Sequence, residues 1–192
     1  DLHHNGAFFL AQNFDFFFRF AQKVEDPLRD EFRSFNFKTP DGYDFFLRMG
    51  PLANSEQMLL KGRAPEWNEF LAHPTYDAYW QARNIRPHLK NVRCAVMTVG
   101  GWFDAEDLQG PLRQHAFMEK NGPPATNMLV MGPWTHGGWS RGDGEKVGNV
   151  HFGAKTGAFY REQIEFAFFQ HFLKGKGEGK FPKAWVFENG RN

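Results

Sequence analysis

Residues 92–99 read VRCAVMTV and residues 127–131 read NMLVM. Each is a short apolar run, the pattern expected of strands buried on both faces of a parallel sheet. Between them, residues 105–120 have helical content, stopped by Asn121-Gly122 and then by Pro123-Pro124. Strand, helix and strand in this order predict a βαβ unit with parallel strands and a right-handed crossover. Further on, residues 156–174 are predicted as a long helix ended by the glycine-rich turn at 174–180, followed by a short strand at 184–187. Residues 89–192 therefore read as α/β.

Upstream the texture differs. Residues 1–88 read as irregular helices joined by loops, with 41–49 and 65–85 the better helical segments and Pro65 placed for a first turn. Pro40, Gly50-Pro51 and His73-Pro74 interrupt them. Phe8, Phe9, Phe14, Phe16, Phe17, Phe18 and Phe20 crowd one stretch. Large aromatics mostly serve packing, and a segment apolar on more than one helical face needs cover on several sides. That demand, with a start at Asp1 that shows neither an initiator Met nor a leader, makes the chain read as a piece of a longer protein.

Composition narrows the function classes. With 41% hydrophobic and 23% charged residues over 192 positions, the chain is an ordinary globular sequence rather than a disordered one. A net charge of +1 gives no electrostatic case for nucleic acid or an anionic membrane. The apolar runs fall short of the roughly 18–20 residues a membrane span needs. Cys94 is the single cysteine, so no intrachain disulfide forms; its place inside an apolar strand predicts inert core.

In an open parallel sheet, ligands bind beyond the carboxyl ends of the strands. The first strand is followed by Gly100-Gly101-Trp102-Phe103-Asp104 and the second by Gly132-Pro133-Trp134-Thr135-His136. Each acid–base residue lies five positions past its expected strand end, at Val99 and Met131, so an Asp and a His should meet on one sheet edge. An Asp that orients a neutral imidazole is two-thirds of a hydrolase triad, and the order Asp then His suits the α/β-hydrolase arrangement. Alternatively, Asp104 caps a helix beginning at Ala105, with Glu106 and Asp107 favoured by the helix dipole, and His136 is satisfied by backbone. Spacing alone does not choose between these readings. Nor does a nucleophile: Ser34, Ser55 and Ser140 are the only serines, and none sits in G-x-S-x-G. No metal motif is present either; adjacent His3 and His4 should point apart, and H-E-x-x-H is absent.

The segments 100–107 (GGWFDAED) and 132–139 (GPWTHGGW) resemble those of the α-amino-acid ester hydrolases, which belong with cocaine esterase, the glutaryl cephalosporin acylases and the Xaa-Pro dipeptidyl-peptidases. The likeness extends to residues 1–8 (DLHHNGAF), similar to the segment that opens that family's helical cap, and to 186–190 (VFENG), like the strand that hands over to its C-terminal domain. It implies the C-terminal half of an α/β-hydrolase domain, with residues 1–88 as an inserted cap and 89–192 as sheet. It implies a serine hydrolase or acyltransferase acting through an acyl-enzyme on α-amino-acid esters, with β-lactam amides a further substrate class. Asp104 would be the triad acid and His136 the base, while the serine, the oxyanion donors and a jelly-roll domain would lie outside the chain. Asp1, Glu106 and Asp107 would match the three carboxylates that hold the substrate's ammonium group. No cofactor is implied. Oligomeric state and compartment stay open, with a homo-oligomer and export to the periplasm or beyond as the expectations. Other specificities within the superfamily, and a non-catalytic α/β module, remain the alternatives.

Overall fold

The structure, a computed structural model, describes residues 3–4, 7–20 and 34–188. The chain divides into two compact units, Asp1–Asn84 and Ile85–Asn192.

In the first unit, a two-residue hairpin of β1 (His3–His4) and β2 (Ala7–Phe8) leads into α1 (Leu10–Phe20). Leu10, Phe14, Phe17 and Phe18 recur at helical spacing, so one face of α1 enters a cluster built on buried Phe14, Leu60, Ala64 and Trp67. Phe14 makes edge-to-face contacts with Phe35, Phe46 and Trp67, the arrangement the aromatic quadrupole favours. Phe16 points elsewhere and stays exposed. The indole of Trp67 donates to Ser55 Oγ, which donates in turn to the Leu52 carbonyl, so both of these buried polar groups are partnered.

Helix α2 (Gly42–Met49) is capped by Asp41, whose side chain accepts the Asp44 N–H, and a π-helical turn at Glu56–Leu60 follows. The helix expected over 65–85 is two helices, α3 (Pro65–Ala72) and α4 (Ala78–Ala82). Pro74 disfavours helical backbone at His73, and the Asp77 carboxylate restarts the helix by capping the Tyr79 N–H.

The second unit opens with a 3₁₀ turn at Arg86–His88 and is organised by a three-stranded parallel sheet in the order β3 (Val96–Gly101), β4 (Asn127–Gly132), β7 (Ala184–Val186). Helix α5 (Gln109–Lys120) connects β3 to β4. A small hairpin of β5 (Lys146–Val147) and β6 (Val150–His151) and a continuous helix lie between β4 and β7. That helix runs as α6 (Thr156–Phe159), a π-helical stretch at Tyr160–Glu165, and α7 (Phe166–Lys174), and ends at Gly175 in the left-handed conformation. Met128 and Val130 pack with Trp134, Tyr160, Ile164 and Phe168. Burial pushes the Tyr160 phenol well above its ordinary range, so it stays neutral and donates to Glu165. Gly100 leaves room beside Met131 and Pro111 of α5, since a Cβ there would lie 2.9 Å from the Met131 sulfur and 3.0 Å from the Pro111 ring.

The first sheet strand is shifted from its expected limits of 92–99. Pairing starts where the Val96 N–H meets the Thr126 carbonyl and continues through Gly100 and Gly101, opposite Met131 and Gly132. Cys94 lies before the strand and is exposed, so the expectation of a buried core thiol is corrected. β3 is also only half-buried, because β4 is its one sheet neighbour among the described residues.

Candidate active site

The register of the sheet sets the site. Gly101 lies opposite Gly132, and beyond this pair the two chains leave the sheet together. The Trp102 N–H donates to the Gly132 carbonyl at 2.8 Å and the Phe103 N–H to the Trp134 carbonyl at 3.1 Å, stapling one loop to the other. A Cβ on Gly101 would lie 2.1 Å from the Trp134 carbonyl oxygen, and one on Gly132 would enter the Trp134 indole. Both motif glycines are therefore set by close approach of backbone and ring. Trp134 is 1% exposed, and its Nε1–H donates to Thr156 Oγ1 at the start of α6. Thr156 in turn donates to the Gly144 carbonyl.

The two loops bring Asp104 and His136 together. Asp104 Oδ2 lies 3.0 Å from His136 Nδ1, with the Asp104 side chain 2% exposed and the His136 ring 52% exposed. Asp104 Oδ1 accepts the N–H groups of Glu106 and Asp107, each at 2.9 Å. Burial works to raise the carboxyl pKa, but the backbone donors at Asp107 and Glu106 and the His136 ring outweigh it, and the net direction is down. A carboxylate can only accept, so Nδ1 carries the ring proton and Nε2 of a neutral imidazole keeps its lone pair. Among the described residues Nε2 meets no hydrogen-bond partner.

The offsets from the strand ends are unequal. Because β3 runs to Gly101 and β4 to Gly132, Asp104 and His136 lie three and four residues beyond them rather than five. The capping and dyad readings of Asp104 are also not exclusive: one oxygen closes a turn and the other holds the histidine. The turn precedes α5, which starts at Gln109 rather than Ala105.

Asp107 lines a cleft of about 470 Å³ together with Asp104, His136, Trp139 and Gln114, floored by β3. Glu106 is half-buried beside it in sequence but does not line that cleft. Asp1 lies outside the described residues. Among the described residues no group of three or more His, Cys, Asp and Glu side chains could hold a metal, and no helix is long and apolar enough to cross a membrane.

Several supporting groups were not legible from sequence. Thr156 is 22 residues from the indole it binds, and no local pattern links them. Arg141 donates to the carbonyls of His136 and Gly137, and Arg161 donates to that of Trp139. For Arg141 a signal existed: a cation four residues after a glycine that turns the chain.

The family model of the X-Pro dipeptidyl-peptidases, S15 family, matches residues 2–138. The chain belongs to that family. Two solved structures are similar to this S15 chain at 26% identity. One is an aminopeptidase from a marine sediment archaeon, Thaumarchaeota archaeon, with a TM-score of 0.84 over 99% of this chain and 31% of that one. The other is an α-amino acid ester hydrolase labelled with selenomethionine, with a TM-score of 0.81 over 97% of this chain and 30% of that one. This S15 chain thus spans about a third of the length of the solved proteins it matches. No curated protein matches it. The α/β class and the likeness to the ester hydrolases read from the sequence agree with these findings, and the family is one of peptidases and ester hydrolases.

Proposed function

We propose that the protein is a serine hydrolase acting on esters or amides of α-amino acids, with the nucleophile supplied by sequence preceding Asp1. The observation that carries this reading is the bond from His136 Nδ1 to buried Asp104, made where two neighbouring parallel strands end. In this mechanism Nε2 of His136 takes the proton of the attacking serine hydroxyl. Asp104 fixes the tautomer and stabilises the imidazolium, which then protonates the leaving group. Water or an amine acceptor takes the acyl group from the acyl-enzyme. Residues 1–88 serve as a cap inserted into the hydrolase sheet.

Glu106 and Asp107, with Asp1, hold the substrate's α-ammonium group. A cation leaving water needs close negative charge and acceptors, and Asp107 already lines the cleft that His136 and Asp104 share. The names of the two similar structures, an aminopeptidase and an α-amino acid ester hydrolase, support an acyl group that carries an amine.

The test uses the full-length protein and a pair of esters differing only in the α-amine. Glu106→Gln or Asp107→Asn is expected to weaken kcat/KM for the amino ester by roughly 2 kcal/mol or more, the scale of a lost charged partner. The ester without the amine should change much less. An unchanged ratio between the substrates means that these carboxylates only support the turn. A second reading, peptide rather than ester specificity, is favoured by the aminopeptidase similarity. It predicts that X-Pro or aminoacyl anilides are turned over faster than the matched esters. Turnover of neither class would leave the non-catalytic module standing.

A further inference from the structure

The loop that carries His136 is fixed on both sides, by different means. On its N-terminal side Trp134 is buried and tied to Thr156 and to Phe103. On its C-terminal side the chain turns through Gly137, at φ +67°, and the Gly138 N–H closes on the Thr135 carbonyl at 2.8 Å. Beyond the two glycines Trp139 packs on the core cluster, its ring 6.2 Å from that of Trp134. Over the turn itself Arg141, an exposed residue, folds back: Nη2 donates to the His136 carbonyl and Nε to the Gly137 carbonyl at 3.4 Å. A Cβ on Gly137 would lie 2.5 Å from Arg141 Nη2, so the guanidinium occupies the space a side chain there would need. Ser140 Oγ adds a bond to the Gly137 carbonyl at 2.9 Å.

Arginines serve two purposes among the described residues, and Arg63, whose Nε and Nη2 donate to the carbonyls of Leu60 and Leu59, is used as Arg141 is. Arg19 and Arg48 point at carboxylates four residues away on their helices. Arg141 pairs with no carboxylate among the described residues. Its planar, forked donor set collects two successive carbonyls instead, from donors fixed in one rigid plane rather than carried by a compact, freely rotating ammonium. Further along the loop Arg161, from the π-helical stretch, adds a single bond, Nη1 donating to the Trp139 carbonyl at 2.9 Å.

We propose that Arg141 is a positioning residue that holds the backbone of His136, and so keeps Nδ1 on Asp104 and Nε2 turned to the reacting groups. The proposal rests on the hydrolase reading above, but one of its readouts does not. A histidine carried on an exposed turn loses alignment when the turn loosens, and misplacement of a catalytic group by about 1 Å costs on the order of 10²-fold in rate. Arg161 holds Trp139, a wall of the cleft, so its removal should act more on substrate binding than on turnover.

The experiment compares Arg141→Ala, Arg141→Lys and Arg161→Ala in the full-length protein, with Arg48→Ala as the control for losing an exposed arginine. With a phenylglycine methyl ester as probe, Arg141→Ala is expected to lower kcat by about 10-fold to 10²-fold with KM changed by less than about threefold. Arg141→Lys should restore little, because one ammonium replaces a fork, whereas millimolar guanidinium chloride should restore part of the rate and sodium chloride none. Arg161→Ala should raise KM more than it lowers kcat. The readout independent of turnover is the downfield proton resonance of His136 Nδ1–H bonded to Asp104, identified by its loss in Asp104→Asn. That resonance should broaden or vanish in Arg141→Ala and persist in Arg48→Ala. Retention of both kcat and the resonance in Arg141→Ala overturns the proposal. So does a rate loss that merely follows a lowered Tm and that guanidinium fails to rescue. If the wild type turns over neither esters nor anilides, the hydrolase reading fails, and the resonance alone decides whether Arg141 holds His136.

Discussion

Among the described residues two Asp–His pairs are hydrogen-bonded, and they differ in almost everything but the bond. In the first unit His73 Nδ1 lies 2.6 Å from Asp77 Oδ2, four residues on, with side chains 33% and 38% exposed. The pair bridges the end of α3 and the start of α4, and Asp77 spends its other oxygen capping α4. His73 stacks on Tyr79 at 4.2 Å, and the Arg83 guanidinium lies over the other component of that stack, 3.4 Å from the Tyr79 ring. In the second unit the partners are 32 residues apart, the carboxylate is buried and the ring is open. The shorter bond is thus the local one. An Asp–His contact alone is no mark of catalysis. What separates the second pair is asymmetry, a buried acid against an exposed ring, and a cleft beside both.

The largest expected effect tests that separation directly. In the full-length protein His136→Ala or Asp104→Asn should lower kcat by about 10³–10⁴-fold, as removal of a triad member does. His73→Ala and Asp77→Asn should leave kcat/KM within a few-fold, on the scale of a surface change, and act through a lowered Tm. Equal rate losses from both pairs would erase the distinction.

A smaller effect follows from how each pair is assembled. The second needs two loops in backbone contact at Gly101, and Gly101→Ala should destabilise the protein by about 3 kcal/mol, at the upper end for overpacking. A methyl group there meets a carbonyl rather than a flexible side chain. The first unit offers the contrast, since a Cβ on Gly42 meets nothing within 4 Å. Gly42→Ala should therefore be neutral or stabilise by about 0.5 kcal/mol. Urea unfolding of both variants measures the difference.

The smallest effect is in the acid range. Both Asp77 and Asp104 have pKa values below the ordinary 3.8, the first chiefly through its hydrogen bond from His73. A lowered carboxylate contributes stability that is full above the unfolded pKa and is lost as pH falls through the folded one. Thermal melts between pH about 5 and 2 should thus flatten in either Asp→Asn variant. Salt should shrink the exposed Asp77 contribution much more than the buried Asp104 one. A salt response of equal size would mean that Asp104 is solvated after all.

Much of the second unit was legible because its signals are local and consistent. The apolar runs of β3 and β4, the Asn121-Gly122 stop and the Gly175 turn each act within a few residues. The helical interruption at His73-Pro74 was legible as a break, though not the capping by Asp77 that restarts α4. β3 starts later than expected because Val92, Cys94 and Ala95 extend its apolar run, whereas pairing waits for a partner strand that begins only at Asn127. The hairpin of β5 and β6 went unseen, since two-residue strands leave no periodicity to read.

By itself the sequence singled out the candidates for the proposed chemistry: an Asp and a His placed after successive strands, each behind a glycine and a tryptophan, with Glu106 and Asp107 following. It also determined that those strands would be parallel, because a helix separates them. Only the tertiary structure decided that Asp104 divides its two oxygens between a turn and His136. The same holds for the glycines, which are required by the Trp134 carbonyl and indole, and for Arg141 and Arg161, which collect the carbonyls of the histidine loop. The reason is physical. Strand and helix propensities are written into near neighbours, but a hydrogen bond across 32 residues, or a missing Cβ beside a distant carbonyl, exists only once the register Gly101 to Gly132 has formed.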